Sequence, residues 1–183
     1  RDVRLIGLGG GSLAKFIYHR LPQARIVAVE VNPRVVEIAR QFFALPPDDA
    51  RLDVRITDGA QYMQSAPGGA DAILVDGYDA QSQVAELATL EFYRHCARAL
   101  GEAGVLVVNL WGGDRDFHAC VDRIAQAFDG RVACLPAGKP GNVAALAFKT
   151  SPGEPTWAEL HARGAALEAQ YALEFTRFVA ELA

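Results

Sequence analysis

The feature that most constrains this chain is a glycine loop set between an apolar strand and a helix, over residues 5–13. Four of the five positions from Gly7 to Gly11 are glycine. Glycine lets the backbone turn sharply and lets a ligand approach it closely. The amides that open the following helix then face that ligand. The pattern predicts a nucleotide-binding loop at the carboxyl end of a buried strand.

A second apolar strand, Ile26–Glu30, ends in a carboxylate about 20 residues beyond the loop, the usual distance for an acid that binds a ribose diol. The loop alone leaves two interpretations open. Gly7-x-Gly9-x-Gly11 fits an adenosyl loop of the methyltransferase type, and Gly9-x-Gly11-x-x-Ala14 fits the looser dinucleotide fingerprint.

Strands and helices alternate along the chain up to a closing pair of strands. Its 183 residues are 51% hydrophobic and 22% charged, which is typical of one globular domain. A tight Gly/Pro-rich connection over residues 136–142 leaves no room for a crossover helix, so the last two strands must pair antiparallel. The predicted strands are Val3–Leu8, Ile26–Glu30, Leu52–Ile56, Ala72–Val75, Gly104–Leu110, Arg131–Leu135 and Val143–Phe148. The predicted fold is a doubly wound α/β sheet of seven strands, six parallel and one antiparallel, of the class I methyltransferase-like type.

The chain divides into a sheet domain over residues 1–150 and a helical tail over residues 151–183. In the tail, Thr156-x-x-Glu159 is a capping box, and an apolar stripe follows at helical spacing. The stripe includes Trp157, Tyr171, Phe175 and Phe178. Such a stripe needs a covering surface. We expect one long helix bent at Gly164 or two short ones, packed on the sheet domain or on a second subunit, which leaves a homodimer open.

Carboxylates follow two later strands. Asp58-Gly59 comes after the third strand, where an acid and its neighbouring amides can contact an adenine edge; a plain Asx turn is the alternative. Asp76 and Asp79 leave the fully apolar fourth strand, at the end of the sheet where open α/β folds bind ligands. A carboxylate there, beside another, can act as a general base. As a solvated turn the pair would have no such role.

Composition argues against several other classes of function. A net charge of −4 gives no reason to expect nucleic acid or an anionic membrane as partner. The four histidines show no metal-ligand spacing, so we expect no metal. Cys96, Cys120 and Cys134 form no C-x-x-C pair and are interpreted as reduced, buried thiols of a cytoplasmic protein.

The motifs in order resemble the catalytic domain of the spermidine synthases, over roughly residues 3 to 150. They are the strand–glycine loop, Val29-Glu30-Val31-Asn32-Pro33, Asp58-Gly59, Ile73-Leu74-Val75-Asp76-x-x-Asp79, Glu91-Phe92-Tyr93 and Gly104-Val105-Leu106-Val107. The Asp-x-x-Asp and Glu-Phe-Tyr segments are the more telling, because many methyltransferases share the glycine loop.

The resemblance implies transfer of an aminopropyl group from an S-adenosyl sulfonium to an amine or polyamine. Asp76 would take the proton, and Asp79 would help to bind the amine. Tyr78 follows the same strand end and is a candidate for the amine pocket by its position, with ordinary packing as the alternative. Glu30 would hold the ribose and Asp58 would contact the adenine. The donor-binding set is Gly7, Gly9, Gly10, Gly11, Glu30, Val31, Asp58, Gly59 and Asp76.

Three departures from the family keep the transferred group open. The loop has Gly10 and Ser12 where the family carries an aspartate for the aminopropyl amine of decarboxylated S-adenosylmethionine. The family's Asp-Ser-(Ser/Thr)-Asp-Pro is here Asp76-Gly77-Tyr78-Asp79-Ala80. The family's small N-terminal β domain is not in this chain, and the sequence leaves open whether further residues precede Arg1 in the gene product.

Four functions follow from these observations. Aminopropyl transfer, which leaves 5′-methylthioadenosine, leads. Methyl transfer from intact S-adenosylmethionine, which leaves S-adenosylhomocysteine, is the alternative, and the acid-free loop predicts that this donor binds at least as well as its decarboxylated form. A non-catalytic nucleoside-binding relative comes third and a NAD-dependent enzyme fourth. The acceptor and the oligomeric state stay undetermined.

Overall fold

The structure, a computed structural model, describes residues 1–77, 84–136 and 141–182. Seven strands form one sheet in the order β3-β2-β1-β4-β5-β7-β6. They are β1 (Asp2–Ile6), β2 (Arg25–Glu30), β3 (Leu52–Ile56), β4 (Ala70–Val75), β5 (Leu100–Trp111), β6 (Val132–Pro136) and β7 (Asn142–Phe148). All pairings are parallel except those of β7, which runs antiparallel to both β5 and β6. The predicted sheet of six parallel strands and one antiparallel strand is confirmed.

Helices cover both faces of the sheet. Their bounds are α1 (Ser12–Arg20), α2 (Pro33–Phe42), α3 (Gly59–Ser65), α4 (Leu90–Ala99), α5 (Phe117–Ala127), α6 (Trp157–Tyr171) and α7 (Phe175–Ala180), with a 3₁₀ turn over Ala85–Ala88. One core layer lies under α3, α4 and α5, and the other under α1 and α2. From β1 the chain first builds β2 and β3 on one side, then β4 and β5 on the other. This reversal opens a crevice at the carboxyl ends of β1 and β4.

The sequence predicts helix starts at Asn32-Pro33, Thr89 and Asp114, and side chains cap the first two of these helices. Asn32 Oδ1 accepts a hydrogen bond from the backbone N–H of Arg34 at 3.0 Å, with Pro33 at the first helical position. Thr89 Oγ1 caps α4 in the same way. The predicted Asp114 cap of α5 is wrong by two residues, because the Asp114 carboxylate accepts from the Asp116 N–H and shapes the turn before the helix.

Two burial predictions are wrong at the edges of the fold. The sequence gives α2 a wide apolar face, but Ile38, Phe42 and Phe43 are exposed and only Val36 and Ala39 are buried. The helix covers a narrow strip of the sheet, so its remaining apolar side chains face outward. Cys134 was also predicted to be buried and is exposed, because β6 is an edge strand.

The tail forms a pair of helices rather than one. The chain leaves α6 at Ala172, which adopts the left-handed conformation with φ 55°. Gly164 lies at the contact with α7, where an added Cβ would be 3.1 Å from Val179 Cγ2. The break therefore falls after α6 and not at Gly164. The predicted capping box of Thr156 and Glu159 is present.

The tail contacts α1 of the same chain. The rings of Phe16 and Tyr171 are 6.2 Å apart, and the Arg20 guanidinium donates to the carbonyl of Gln170. Tyr171 is only partly buried and Trp157 is 51% exposed, so the aromatic stripe is covered in part.

Candidate active site

The glycine loop is held tightly against the end of β4. Gly7 has φ +97°, a backbone conformation that favours glycine, and an added Cβ would collide with the backbone carbonyl of Asp76. The N–H of Gly7 donates to Val29 O at 2.9 Å, which ties the loop to β2 as well. The first glycine is therefore required by the contact among three strands.

Glu30 ends β2 and binds the backbone on both sides of the crevice. One carboxylate oxygen accepts from the N–H of Leu8 at 3.1 Å, and the other accepts from the N–H of Asn32 at 3.0 Å. The side chain thus ties the glycine loop to the start of α2. A carboxylate has about four lone-pair sites, so each oxygen still has room for a ligand hydroxyl.

Asp58 caps a helix and also lines the cavity. Its Oδ1 accepts from the N–H of Gln61 at 2.7 Å and caps α3, which is the Asx-type contact given above as the alternative to an adenine contact. Within the described residues its second oxygen accepts no hydrogen bond, and Asp58 lines the same cavity as Glu30.

Asp76 is exposed at the carboxyl end of β4, in the middle of the sheet. Its backbone N–H donates to Ile6 O at 2.8 Å, which continues the pairing with β1 by one residue. Its Oδ1 accepts a hydrogen bond at 2.8 Å from the side-chain amide of Asn109, on β5. A carboxylate held there by a neutral partner keeps its charge available to a cationic ligand.

These groups meet around one cavity of about 360 Å³. Its lining comprises Ile6, Gly7, Leu8, Gly9, Val29, Glu30, Val31, Val35, Asp58, Gly59, Asp76, Gly77, Val84 and Leu87. The charged side chains of this lining are three carboxylates, with no Lys, Arg or His among the described lining residues. The cavity is therefore suited to a cationic ligand with an apolar ring system.

Other predicted site residues lie elsewhere. Gly10 faces the ring of Phe43, and Gly11 packs against Leu45, so neither lines the cavity. Gly11 keeps a structural reason to be glycine in its φ of +71°. Tyr78 and Asp79 fall outside the described residues.

Trp111 lines a different cavity, of about 540 Å³, between the end of β5, the 3₁₀ turn and α5. Asp114 and Phe117 line it as well. Over the ranges that the structure describes, no group of three or more His, Cys, Asp or Glu residues is arranged to hold a metal ion. In the same ranges no helix has the length and apolarity needed to cross a membrane.

Three residues at this site were missed by the sequence interpretation. Val84 and Leu87 form one apolar wall of the cavity. They lie between the predicted fourth strand and the next helix, where the sequence shows no helical or strand periodicity. Asn109 is the third, and it had a readable signal. It is a polar residue at the carboxyl end of a buried strand, beside the strand that carries Asp76.

The chain is similar in sequence to proteins of one described family. A family model described as the spermine/spermidine synthase domain matches residues 1–129. The chain is 45% identical over 182 residues to the polyamine aminopropyltransferase of Chromobacterium violaceum, covering 100% of this chain and 70% of that protein.

Solved structures share the fold at lower identity. A spermidine synthase in complex with the transition-state analogue AdoDATO has a TM-score of 0.80 at 24% identity, covering 100% of this chain and 66% of that one. Human methyltransferase-like protein 13, solved with SAH, also has a TM-score of 0.80 at 24% identity, over 94% of this chain and 82% of that one.

Proposed function

Because the chain belongs to the spermine/spermidine synthase family, we propose that it is a polyamine aminopropyltransferase. It transfers an aminopropyl group from decarboxylated S-adenosylmethionine to an amine. The observation that carries this proposal is the cavity at the carboxyl ends of β1, β2 and β4, where Glu30, Asp58 and Asp76 meet the glycine loop. Both reactants are cations, and the charged groups of the described lining are all carboxylates.

The residues present fit an adenosyl group. Glu30 offers a free lone pair on each oxygen to the ribose hydroxyls, since each oxygen accepts one backbone bond. Asp58 offers its second oxygen to the adenine amino group. Val31, Val84 and Leu87 provide apolar surface for the ring. Gly7 and Gly9 let the donor approach the backbone closely.

The chemistry needs little more than alignment and removal of one proton. Asp76 accepts a proton from the acceptor ammonium, and the freed nitrogen lone pair attacks the propyl carbon bonded to sulfur. The new C–N bond forms as the C–S bond breaks, and its electron pair returns to sulfur to give neutral 5′-methylthioadenosine. Positioning and general base catalysis both contribute to such a step.

The cavity also supports the choice of donor. Intact S-adenosylmethionine carries a carboxylate that would join three others, and an unpaired buried charge is costly. One observation favours the intact donor and methyl transfer as a second candidate. Helix α1 begins at Gly11 without a side-chain cap, so its first amides stay available to a negative group. The expectation that intact S-adenosylmethionine binds at least as well stays a prediction.

An activity assay tests the proposed function. The purified protein is incubated with each donor and a panel of diamines and polyamines, and release of 5′-methylthioadenosine or S-adenosylhomocysteine is measured. Calorimetric titration compares the donors, and a preference of about tenfold, 1.4 kcal/mol, decides between them. Release of S-adenosylhomocysteine alone would overturn the aminopropyl proposal.

Asp76→Asn tests the base. It keeps the shape of the side chain and removes its proton affinity, so we expect kcat to fall by ~10²–10⁴ while 5′-methylthioadenosine still binds. Asp71→Asn is a matched control, since Asp71 is an exposed acid at the other end of β4. An Asp76→Asn variant as active as its parent would remove this role.

The proposal extends to the domain division, the acceptor site, the location and the partners of the chain. We propose residues 1–150 as the catalytic unit and residues 151–183 as a tail that stabilises it, with a homodimer to be tested by light scattering. Tyr78 and Asp79 are proposed to bind the acceptor. A cytoplasmic location is supported by the three free thiols. We propose that neither a metal nor nucleic acid takes part.

A further inference from the structure

Asn109 lies where it can control the catalytic carboxylate. In the pairing of β4 with β5, Val75 is opposite Val108. Asp76 is the residue after Val75 and Asn109 is the residue after Val108, so the two lie at matching positions on neighbouring strands. Side chains alternate between the two faces of a sheet. Val108 and Leu110 are buried on the face of α4 and α5, so the side chain of Asn109 projects from the opposite face, together with that of Asp76.

The contact between them is a well-formed hydrogen bond. Asn109 Nδ2 donates to Asp76 Oδ1 at 2.8 Å, within the normal range for N–H···O bonds. Within the part of the chain that the structure describes, Asp76 Oδ2 accepts no hydrogen bond. The bond therefore fixes the rotation of the carboxylate and leaves one oxygen for the substrate.

The chemistry of the amide limits what Asn109 can do itself. A side-chain amide donates hydrogen bonds through Nδ2 and accepts through Oδ1, but it does not take up a proton at neutral pH. Asn109 therefore cannot replace Asp76 as base. Asn109 acts instead through the position of the Asp76 carboxylate, because proton transfer needs a distance of about 2.6–3.2 Å between the base oxygen and the nitrogen that carries the proton.

We propose that Asn109 is a positioning residue for aminopropyl transfer, which holds Asp76 so that Oδ2 faces the acceptor ammonium. This inference rests on the proposed function. In the reaction, the proton passes from the acceptor nitrogen to Asp76 Oδ2 while the Asn109 bond to Oδ1 stays in place. The C–N bond then forms and the C–S bond breaks as described above, so Asn109 neither gains nor loses a proton.

The test is a double-mutant cycle between the two residues. We expect Asn109→Ala to lower kcat by about ten- to a hundredfold, the scale of a misplaced catalytic group, with the Kd of 5′-methylthioadenosine within about twofold of the parent value. In the Asp76→Asn background the same change should lower kcat by no more than about twofold, because coupled residues are not additive. Asn142→Ala is the matched control, an exposed asparagine on β7, and should leave kcat unchanged.

Three results would overturn the inference. The first is a kcat for Asn109→Ala within about twofold of the parent. The second is an equal loss in the parent and in the Asp76→Asn background, which would show that the two residues act independently. The third is a matching loss in affinity for 5′-methylthioadenosine, which would make Asn109 a donor-binding residue. If Asn109→Ala does not fold, Asn109→Leu, which keeps the size and cannot donate, takes its place in every comparison.

A second measurement separates this inference from the proposed function. In ¹⁵N-labelled protein, the side-chain amide resonance of Asn109 should move when Asp76 is replaced by Ala. If the resonance moves but no amine is aminopropylated by the parent, the proposed function fails and the contact stands. If the resonance does not move, the contact does not form in solution and the positioning role fails, whatever the activity of the parent.

Discussion

Replacing Glu30 by Ala removes two roles of one carboxylate at the crevice, one observed in the structure and one proposed. In the structure it accepts backbone bonds from Leu8 at 3.1 Å and from Asn32 at 3.0 Å. In the proposed complex it also accepts from the two ribose hydroxyls. Removing the side chain therefore loosens the glycine loop and removes the ligand contact at once.

The magnitudes of the two losses can be worked out from the contacts. Hydrogen bonds to charged groups contribute about 1.5–3 kcal/mol each. The side chain is only partly buried, so we take the lower value for each ribose bond. Two bonds then give about 3 kcal/mol, which corresponds to roughly a hundredfold weaker binding. Leaving the buried N–H of Leu8 without this partner costs a further ~1–3 kcal/mol of folding stability, whereas the N–H of Asn32, an exposed residue, can bond water instead.

The assay uses two ligands, 5′-methylthioadenosine and its 2′,3′-dideoxy analogue. Calorimetry on the parent protein and on Glu30→Ala gives four dissociation constants. If Glu30 holds the ribose, Glu30→Ala should bind 5′-methylthioadenosine roughly a hundredfold more weakly than the parent protein does. Its loss of affinity for the dideoxy analogue should be much smaller. Urea unfolding of both proteins measures the loosening of the loop separately.

Two outcomes would refute the reasoning. Unchanged affinity of Glu30→Ala for 5′-methylthioadenosine would show that the carboxylate does not contact the ligand. Equal losses for the two ligands would show that Glu30 acts only by holding the loop. In either case the ribose would need another partner in the cavity.

Three further predictions concern the loop, the tail and the thiols. Gly9→Ala, whose added Cβ would meet nothing within 4 Å, should destabilise the fold by only the ~1–2 kcal/mol of a left-handed residue. Gly7→Ala should cost more than this, because its Cβ would also collide with the backbone carbonyl of Asp76; equal urea midpoints would contradict this. Hydrogen bonds from the hydroxyl and the N–H of Thr176 hold the pKa of Glu168 below its usual value, so this stabilisation is present above the unfolded pKa and is lost as pH falls through the folded one. The protection factor of the Thr176 amide, which compares its exchange rate with that of the unfolded chain at the same pH, should therefore fall as pH is lowered through that range, and Glu168→Gln should abolish that dependence. A thiol reagent should modify Cys134 alone in the native protein, because the other two thiols are buried, and Cys134→Ser should leave no reactive thiol.

The sequence predicts the sheet well because local signals determine it. Most strands are apolar runs between turn residues, and the tight Gly/Pro connection requires the last two strands to pair antiparallel. The glycine loop and Glu30 were readable for the same reason, since a strand end and a spacing suffice to place them. The left-handed φ of Gly7 and Gly11 explains the glycines at these positions.

What the sequence could not predict depends on contacts between distant segments. The exposure of Phe42 and Phe43 depends on how much of the sheet α2 covers, which no periodicity encodes. Asn109 is 33 residues from Asp76, and only the pairing of β4 with β5 brings them together. The backbone bonds of Glu30 likewise appear only once the loop and β2 are placed side by side.

The contact of Gly7 with the carbonyl of Asp76 has a consequence for the order of substrate addition. In the proposed complex the donor lies on the glycine loop, and the loop contacts Asp76, which is the first residue beyond β4 and the proposed base. We therefore expect donor binding to fix the backbone at Asp76 before the amine binds. We expect steady-state kinetics in which the donor adds first, with 5′-methylthioadenosine competing against the donor and not against the amine.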